Sequence, residues 1–356
     1  MMQVVYDNIV FAIQQFGGIS VVWQELLDRV QRSACFDLKY IDVRPSEAGN
    51  HNRVKMHIAD GDILRHVALP ALTRYLPVGV KSNVPFVFHS SYYRYCTNPK
   101  ALNVTTVHDF TYELFVSGLK QKVHSRQKFS AIRHSAAVVC ISENTKRDLL
   151  RLMPDVDASR VHVIYNGVSE VFRQLPEASD ASQLPFPKGS YVIFIGRRDG
   201  YKNFWPTVRS VAQSPYNLLI VGNQLSDSER TVVEQYLAPQ RYQCLSRVFD
   251  EHLNRLYNDA AALVYPSSYE GFGLPVLEAQ RAGCPVIALH ASSIPEVIGQ
   301  TPLLMPKLSD EELIAKLRLL GNRDLMLQVR AEGLSNARRF SWQKMADGYT
   351  ELYQSF

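Results

Sequence analysis

Two glutamates, Glu270 and Glu278, frame a glycine-rich turn in the segment YEGFGLPVLE at 269–278. The apolar run before it, residues 261–265, is typical of a buried parallel strand, and the pattern after Pro275 is helical. Proline suits the first helical position, and the N–H groups of a first helical turn bind phosphate readily. Carboxylates beside such a site bind hydroxyls, because they would repel the phosphate itself. The segment therefore predicts a ligand with a diphosphate in the middle and hydroxyl-rich groups at both ends, which is a nucleotide sugar.

An ordinary strand-to-helix connection, in which Glu278 only complements the helix dipole, explains the same glycines and proline. The spacing of the glutamates, however, resembles the Glu-x7-Glu motif of the retaining glycosyltransferases of family 4. That resemblance implies the GT-B fold, an α/β architecture of two Rossmann-like doubly wound domains that face each other across a cleft. It implies that Glu270 is catalytic and holds hydroxyls of the donor sugar, and that Glu278 holds the ribose. The remaining donor-binding positions implied in this segment are Gly271, Phe272, Gly273 and Leu274.

A second segment, GRRDGYKN at 196–203, follows the apolar run 191–195. In doubly wound sheets, ligands bind at the carboxyl ends of the strands. The segment resembles the Gly-Arg…Lys-Asn segment of the same family, which implies that Arg197 and Lys202 grip the donor diphosphate. Breaking a sugar-to-phosphate bond leaves charge on the diphosphate, and preorganised cations stabilise that charge. We therefore expect both residues to serve catalysis as well as donor binding. The alternative is that they are ordinary charged residues of the surface, which would be the favoured interpretation in an isolated loop.

Two segments of the N-terminal half extend the resemblance. His108 and Asp109 follow the run 103–107 and resemble the His-Asp pair of many family members, which implies that His108 is catalytic and lies against the donor sugar. Asp109 either contacts the acceptor or caps the following turn. Gly17 and Gly18, in the segment QFGGISV at 15–21, resemble the family's diglycine loop, which implies that their N–H groups approach the outer phosphate of the donor.

The segment FHSSYYR at 88–94 resembles a subgroup related to bacterial surface-polysaccharide mannosyltransferases. It follows an apolar run in the N-terminal half, where the acceptors of this family bind. The acceptor contacts that this predicts are His89, Ser90, Tyr92, Arg94 and Asp109.

The order of apolar runs and helical stretches predicts two domains with mainly parallel sheets. We expect an acceptor-binding domain at 1–168, a linker at 169–190 that is rich in Pro, Ser, Ala and Asp, and a donor-binding domain at 191–340. A last helix, 341–356, has apolar residues on one face, and in GT-B enzymes such a helix commonly crosses back onto the N-terminal domain.

The composition fits a globular protein of two cores, since 46% of the 356 residues are hydrophobic. There is no apolar stretch of about 18 residues, and the first residues lack the charged and apolar regions of a signal peptide. We therefore expect a cytoplasmic protein. The five cysteines are scattered without a C-x-x-C pair, which indicates reduced thiols and argues against a zinc site or a disulfide framework.

The net charge of +5 is too small to indicate nucleic acid binding, but cations are concentrated between positions 118 and 135, where no acidic residue occurs. This stretch is either a solvated basic face or a peripheral contact with the anionic inner face of the cytoplasmic membrane. The cations concerned are Lys120, Lys122, Arg126, Lys128 and Arg133.

One motif indicates a metal: Asp60 and Asp62 have the Asp-x-Asp spacing by which GT-A glycosyltransferases bind a divalent cation. Turns also favour Asp-Gly-Asp. The GT-B resemblance implies instead that no metal or other cofactor is required, because Arg197, Lys202 and the helix start supply the positive charge.

The sequence thus predicts a retaining, metal-independent hexosyltransferase that uses a nucleotide sugar in the synthesis of a surface polysaccharide, either O-antigen or capsule. The subgroup resemblance favours GDP-mannose as donor and a glycan or lipid-linked oligosaccharide as acceptor. A dTDP- or UDP-sugar such as rhamnose or glucose is the alternative donor. A non-catalytic nucleotide-sugar-binding subunit, a glycoside hydrolase and an epimerase of related fold remain as other classes.

Overall fold

The computed structural model describes residues 1–15, 17–44, 49–176, 184–198 and 200–356. The chain divides into two compact units, of which the first unit is Met1–Gly167 with Ser341–Phe356 and the second unit is Val168–Phe340. Residues 177–183 of the predicted linker lie outside the described residues, as do Phe16 of the diglycine segment and Asp199 of the segment at 196–203.

The described strands are β1 (Gln3–Asp7), β2 (Asp37–Asp42), β3 (Ile63–His66), β4 (Phe86–Ser90), β5 (Ala101–Val107), β6 (Ala137–Cys140), β7 (Val161–Val163), β8 (Tyr191–Ile195), β9 (Asn217–Val221), β10 (Tyr242–Leu245), β11 (Ala262–Tyr265), β12 (Val286–Leu289) and β13 (Leu304–Met305). The described helices are α1 (Val10–Ile13), α2 (Gly18–Ser33), α3 (His51–Lys55), α4 (Pro70–Thr73), α5 (Thr111–Phe115), α6 (Leu119–Arg133), α7 (Glu143–Leu152), α8 (Phe204–Ala212), α9 (Asp227–Glu234), α10 (Asp250–Asp259), α11 (Leu274–Arg281), α12 (Ile294–Ile298), α13 (Asp310–Leu319), α14 (Arg323–Ala337) and α15 (Trp342–Gln354).

The first unit is built on a parallel sheet that has seven described strands in the order β3-β2-β1-β4-β5-β6-β7. The central strands carry continuous apolar runs because both faces of the sheet are covered, and Val4, Val5 and Tyr6 of β1 are fully buried. The strand order reverses between β1 and β4, which makes the carboxyl ends of these two strands the switch point of the first unit.

The second unit repeats this topology with six described strands in the order β10-β9-β8-β11-β12-β13, again all parallel. Its core consists mainly of buried aliphatic side chains from the central strands and from α8, α13 and α14. The switch point of the second unit lies between β8 and β11. The predicted fold class, an α/β protein with two Rossmann-like parallel sheets, is therefore confirmed.

Helix α15 packs within the first unit, against α2 and the sheet. Ser341 caps its start by accepting a hydrogen bond from the Lys344 N–H at 3.1 Å. The buried hydroxyl of Tyr349 bonds Thr106 Oγ1 at 2.7 Å. The chain enters this helix very close to Gly167, where an added Cβ would lie 2.0 Å from the backbone nitrogen of Trp342. Only glycine therefore fits at position 167.

Of the helices that the structure describes, none combines the length and the hydropathy that crossing a bilayer requires.

Candidate active site

The loops at the switch point of the second unit carry the predicted donor residues other than Gly17 and Gly18. Gly196 follows β8 and has a φ of +119°, a conformation that glycine adopts without strain. Gly222 follows the neighbouring strand β9, and an added Cβ there would lie only 2.7 Å from the carbonyl oxygen of Gly196. Two glycines in contact thus leave the ends of β8 and β9 free of side-chain bulk.

The loop after β8 is tied to the loop after β11 by hydrogen bonds. The Asn203 side chain donates to the Pro266 carbonyl at 2.7 Å and to Ser268 Oγ at 2.8 Å. The Ser268 N–H donates in turn to the Tyr201 carbonyl at 2.8 Å. These bonds hold Tyr201 and Asn203 against Pro266 and Ser268, so that residues distant in sequence lie together at this switch point.

The loop that carries Glu270 is also held from the other side, by two serines after β12. The Glu270 N–H donates to Ser292 Oγ at 2.8 Å. The Ser293 hydroxyl donates to the carbonyls of Glu270 and Phe272, at 2.9 and 3.0 Å. Gly273 then starts α11 with a φ of +101°. The loop is thereby preorganised in front of a helix start, which favours an anionic ligand.

Lys202 and Glu270 form an ion pair at this switch point. Their Nζ and Oε1 atoms lie 2.5 Å apart, and each side chain is 13% exposed. The hydroxyl of Tyr265, at the end of β11, lies 3.4 Å from the same Nζ atom. The pair neutralises itself without ligand, and its partial exposure lets each member exchange its partner for a ligand group. A phosphate would attract Lys202, and sugar hydroxyls would donate to Glu270.

Glu278 lies in α11, about one and a half turns after Gly273, and has a different environment. It is half-buried, and the hydroxyl of Tyr257 in α10 donates to its Oε2 at 3.4 Å. Burial raises the pKa of the Glu278 carboxyl to about 8, and the charge of Asp250 acts in the same direction. A ligand hydroxyl that donates to Glu278 would favour its ionised form.

The two adjacent arginines after β8 have different environments. Arg198 is mostly buried and forms a two-point ion pair with Glu229 of α9, at 2.6 and 3.0 Å. It also donates to the carbonyls of Asn223 and Gln224. Arg197 is exposed. The structure thus gives Arg198 a role in packing and leaves Arg197 as the arginine that a ligand can reach.

Gly17 and Gly18 lie at the start of α2 in the first unit. Gly17 is the residue before the helix, and its carbonyl accepts hydrogen bonds from the N–H groups of Ser20 and Val21. Glycine has no side chain that could cap this 16-residue helix, and Gly18 is exposed. This arrangement agrees with the predicted approach of backbone N–H groups to a phosphate, which stays a prediction.

His108 and Asp109 follow β5 in the first unit. Burial lowers the pKa of the His108 imidazole to about 4, although the neighbouring carboxylate of Asp109 opposes this shift. His108 is therefore neutral at physiological pH and can donate or accept a hydrogen bond there. Asp109 Oδ1 accepts from the Thr111 N–H at 2.8 Å, so that Asp109 caps the turn. The structure thus provides direct support for the capping alternative.

The predicted acceptor residues of β4 and the following loop turn largely inward. His89 is fully buried, and its ring nitrogens bond Tyr353 OH at 2.7 Å and Thr106 Oγ1 at 2.9 Å. Ser90 and Arg94 both bond the buried carboxylate of Asp7. The prediction that these three residues contact an acceptor needs correction, because their polar groups are used within the first unit. Tyr92 is half-buried, and its role stays a prediction.

The cations of the stretch at 118–135 do not form one surface. Lys128 is fully buried and bonds Glu113 at 2.7 Å and the Asp109 carbonyl at 2.8 Å. Arg133 pairs with Asp155. Lys128 therefore cannot reach a membrane, which corrects the prediction at that position. Lys120, Lys122 and Arg126 are exposed.

Asp62, the second acid of the Asp-x-Asp motif, pairs with Lys39 at 2.7 Å. This carboxylate therefore contacts a cation of the first unit, and metal independence stays a prediction.

Sequence reasoning missed Tyr257, Tyr265, Ser292 and Ser293. The tyrosine at position 265 ends a predicted strand, where the rule of strand ends could have found it. The serines follow β12, but nothing in their types shows that they hold a loop more than 20 residues earlier in the chain.

Comparisons with known proteins identify the family to which both halves of the chain are similar. A family model for glycosyl transferases group 1 matches residues 177–339, and a model for Glycosyltransferase Family 4 matches residues 16–171. The O-antigen chain mannosyltransferase B of Escherichia coli is 25% identical over 327 residues, which cover 87% of this chain and 84% of that protein.

Two solved structures are similar over the whole chain. Sucrose-phosphate synthase from Thermosynechococcus elongatus has a TM-score of 0.77 at 18% identity, covering 100% of this chain and 99% of the other. The Anabaena protein HepE, in complex with UDP and glucose, has a TM-score of 0.74 at 14% identity and covers 100% of both chains. The family models, the mannosyltransferase relative and the shared fold lead to one conclusion: this chain belongs to the family 4 glycosyltransferases of the GT-B fold.

Proposed function

We propose that the protein transfers a hexose from a nucleotide diphosphate sugar to a hydroxyl of a glycan or lipid-linked acceptor, with retention of the anomeric configuration. The observation that carries this proposal is the ion pair of Lys202 and Glu270 in front of the start of α11. It offers a cation for a phosphate and a carboxylate for sugar hydroxyls at one switch point. Glu278, further along the same helix, offers a second carboxylate for the ribose.

Donor binding would separate the ion pair. Lys202 and the exposed Arg197 would bind the diphosphate together with the N–H groups at the start of α11. Glu270 would then accept hydrogen bonds from the sugar. The diphosphate would then neutralise the charge of Lys202 in place of the carboxylate. The sugar hydroxyls would donate hydrogen bonds to Glu270 in place of the ammonium group.

The proposed reaction is a substitution on one face of the sugar. The acceptor oxygen bonds the anomeric carbon while the bond from that carbon to the diphosphate oxygen breaks, and the departing phosphate takes the acceptor proton. The electron pair of the broken bond leaves with the diphosphate, where Arg197 and Lys202 stabilise the growing charge. These cations and the helix start supply the positive charge, so that no metal is required. His108 is proposed to hydrogen-bond the donor sugar as a neutral imidazole.

GDP-mannose is the proposed donor, and surface polysaccharide, as O-antigen or capsule, is the proposed product. The similarity to an O-antigen mannosyltransferase supports both the proposed donor and the proposed product. A UDP- or dTDP-sugar is the alternative donor, and HepE, which shares the fold, was solved with UDP and glucose.

Thermal unfolding with GDP, UDP, dTDP and their sugar conjugates, with and without EDTA, tests the donor. A ligand that binds only the folded state raises the melting temperature. We expect GDP and GDP-mannose to raise it equally in both conditions. A rise with UDP or dTDP alone would change the donor, and loss of the rise in EDTA would overturn metal independence.

A turnover assay tests the reaction itself. Incubation of GDP-mannose with a lipid-linked or glycan acceptor should release GDP only when the acceptor is present. Binding without turnover would indicate a non-catalytic subunit. Sugar release from a glycan without any nucleotide would indicate a hydrolase, and donor conversion without an acceptor would indicate an epimerase.

A further inference from the structure

One part of the first unit exposes an unusual amount of apolar surface. More than half of the large apolar side chains that are exposed in the described part of the chain come from residues 69–76 and 112–123. Leu72 is 67% exposed and Leu119 is 77% exposed. Single exposed apolar residues are normal on a protein surface, but a contiguous group of them marks an interaction site.

The two segments are neighbours in space. The guanidinium of Arg74 lies 4.9 Å above the ring of Tyr92, and the Tyr92 hydroxyl bonds His124 of α6 at 3.1 Å. The ring of Tyr112 stacks on the same His124 with a centroid distance of 4.0 Å. The Gln127 side chain also donates to the Arg74 carbonyl. Residues 69–76 and 112–126 therefore form one surface, which we call the docking face.

Helix α6 divides its residues between the docking face and the interior. His124, Lys128 and Ile132 are buried. Leu119, Val123 and Arg126 are exposed and recur three or four positions apart, so they share the outward side of the helix. Apolar and basic side chains are thus presented together.

The charge of the docking face has one sign. Lys120, Lys122 and Arg126 are exposed, and the segments 69–76 and 114–126 contain no acidic residue. Glu113, the acidic residue within 112–126, has a buried side chain that is paired with the buried Lys128. A surface that combines leucines with unopposed cations is complementary to a layer of anionic headgroups above hydrocarbon chains.

We propose that the docking face binds the surface of a bilayer that contains anionic lipid. Its leucines, valine and aromatic rings enter the boundary between headgroups and acyl chains, and the three cations contact lipid phosphates. Neither the burial of apolar side chains nor the contacts of cations with phosphates requires a helix that spans the bilayer. The proposal does not depend on the proposed sugar transfer, because it rests on the surface of the first unit alone.

Flotation of the full chain with lipid vesicles tests the electrostatic part. We expect binding to phosphatidylcholine vesicles that contain phosphatidylglycerol, weaker binding in high salt, and little binding to phosphatidylcholine alone. Replacing Lys120, Lys122 and Arg126 by Gln should lower the partition coefficient by about fivefold for each cation removed. The matched control removes three exposed cations elsewhere, Lys100, Lys307 and Arg323, and should bind like the unmodified protein.

A second pair of variants tests the apolar part. Replacing Leu72, Leu119 and Val123 by Ser should lower binding at least tenfold, while the same change at the exposed Val54, Tyr236 and Leu327 should not. Melting temperatures of all variants check the fold. Equal losses in test and control variants would overturn the proposal. It would also be overturned if the unmodified protein were a dimer without lipid and the docking-face variants were monomers, because a second copy would then cover this face.

Discussion

The two units place an ion pair at the same topological position, and the two pairs differ in exposure. In the first unit, Asp7 at the end of β1 pairs with Arg94 after β4 at 3.1 Å, and their side chains are 0% and 6% exposed. In the second unit, Lys202 after β8 pairs with Glu270 after β11 at 2.5 Å, and both side chains are 13% exposed.

This difference is the basis for assigning two uses to one topology. At the first switch point the chain fills the space with its own polar groups, since Asp7 also accepts from Ser90 Oγ at 2.7 Å. Groups that are buried and bonded to each other hold the loops together and have little capacity for a ligand. At the second switch point glycines keep the strand ends open, and the ion pair is reachable. The first pair should therefore matter for stability, and the second for binding and turnover.

Removing Arg94 should have the largest effect on stability. In Arg94→Met the Asp7 carboxylate stays buried without its cation, which typically costs about 3–5 kcal/mol. Burial already raises the pKa of Asp7, while Arg94 and Ser90 lower it, so the variant should unfold more easily at pH 8 than at pH 5. Urea unfolding at both pH values measures this.

The control for Arg94→Met is Arg133→Met, which breaks the exposed pair with Asp155 and should leave the free energy of unfolding nearly unchanged. Adding Asp7→Asn to Arg94→Met should recover part of the loss. Equal costs for the two arginines would contradict the buried role of the first pair.

Glu270→Gln should show the opposite behaviour. It keeps the shape of the side chain but removes the charge that pairs with Lys202 and that is proposed to accept hydrogen bonds from the donor sugar, so turnover should fall about 10²- to 10³-fold. The melting temperature should change little, because the site is partly exposed. Initial rates of nucleotide release measure the effect, and the exposed Glu332→Gln is the control. Normal turnover in a folded Glu270→Gln variant would remove this residue from the proposed mechanism.

The pKa of Glu278, raised to about 8, predicts two pH dependences. The folded protein keeps the proton on Glu278 at pH values where the unfolded chain, with a pKa near 4.5, has lost it. The free energy of unfolding should therefore be highest below about pH 4.5 and should decline as the pH rises towards 8. The affinity for the nucleotide should instead rise about tenfold between pH 6 and pH 8, because ribose hydroxyls donate stronger hydrogen bonds to the ionised Glu278 carboxylate than to the protonated carboxyl group. Both slopes should disappear in Glu278→Gln, and slopes that persist there would assign them to another group.

Sequence patterns predicted the central strands and the motif loops because both are local. The run before Glu270 and the helix after Pro275 follow from periodicity and turn chemistry. No apolar run in the sequence indicates the edge strands β3, β10 and β13, because they are short and mostly half-exposed or exposed, which weakens an apolar pattern. His89 and Arg94 could not be told from ligand-binding residues, because a polar residue after a strand looks the same in sequence whether it turns inward or outward.

The smallest expected effects come from removing one hydroxyl at each switch point, and they sharpen the comparison most directly. Ser90→Ala removes a hydrogen bond to the buried Asp7 carboxylate and should cost about 1.5 kcal/mol of stability with unchanged turnover. Tyr265→Phe removes the hydroxyl beside Lys202 and should lower kcat/KM about threefold without a change in melting temperature. If both variants lost only stability, or both only activity, the two switch points would not differ in use, and the separation of a filled site from an open one would fail.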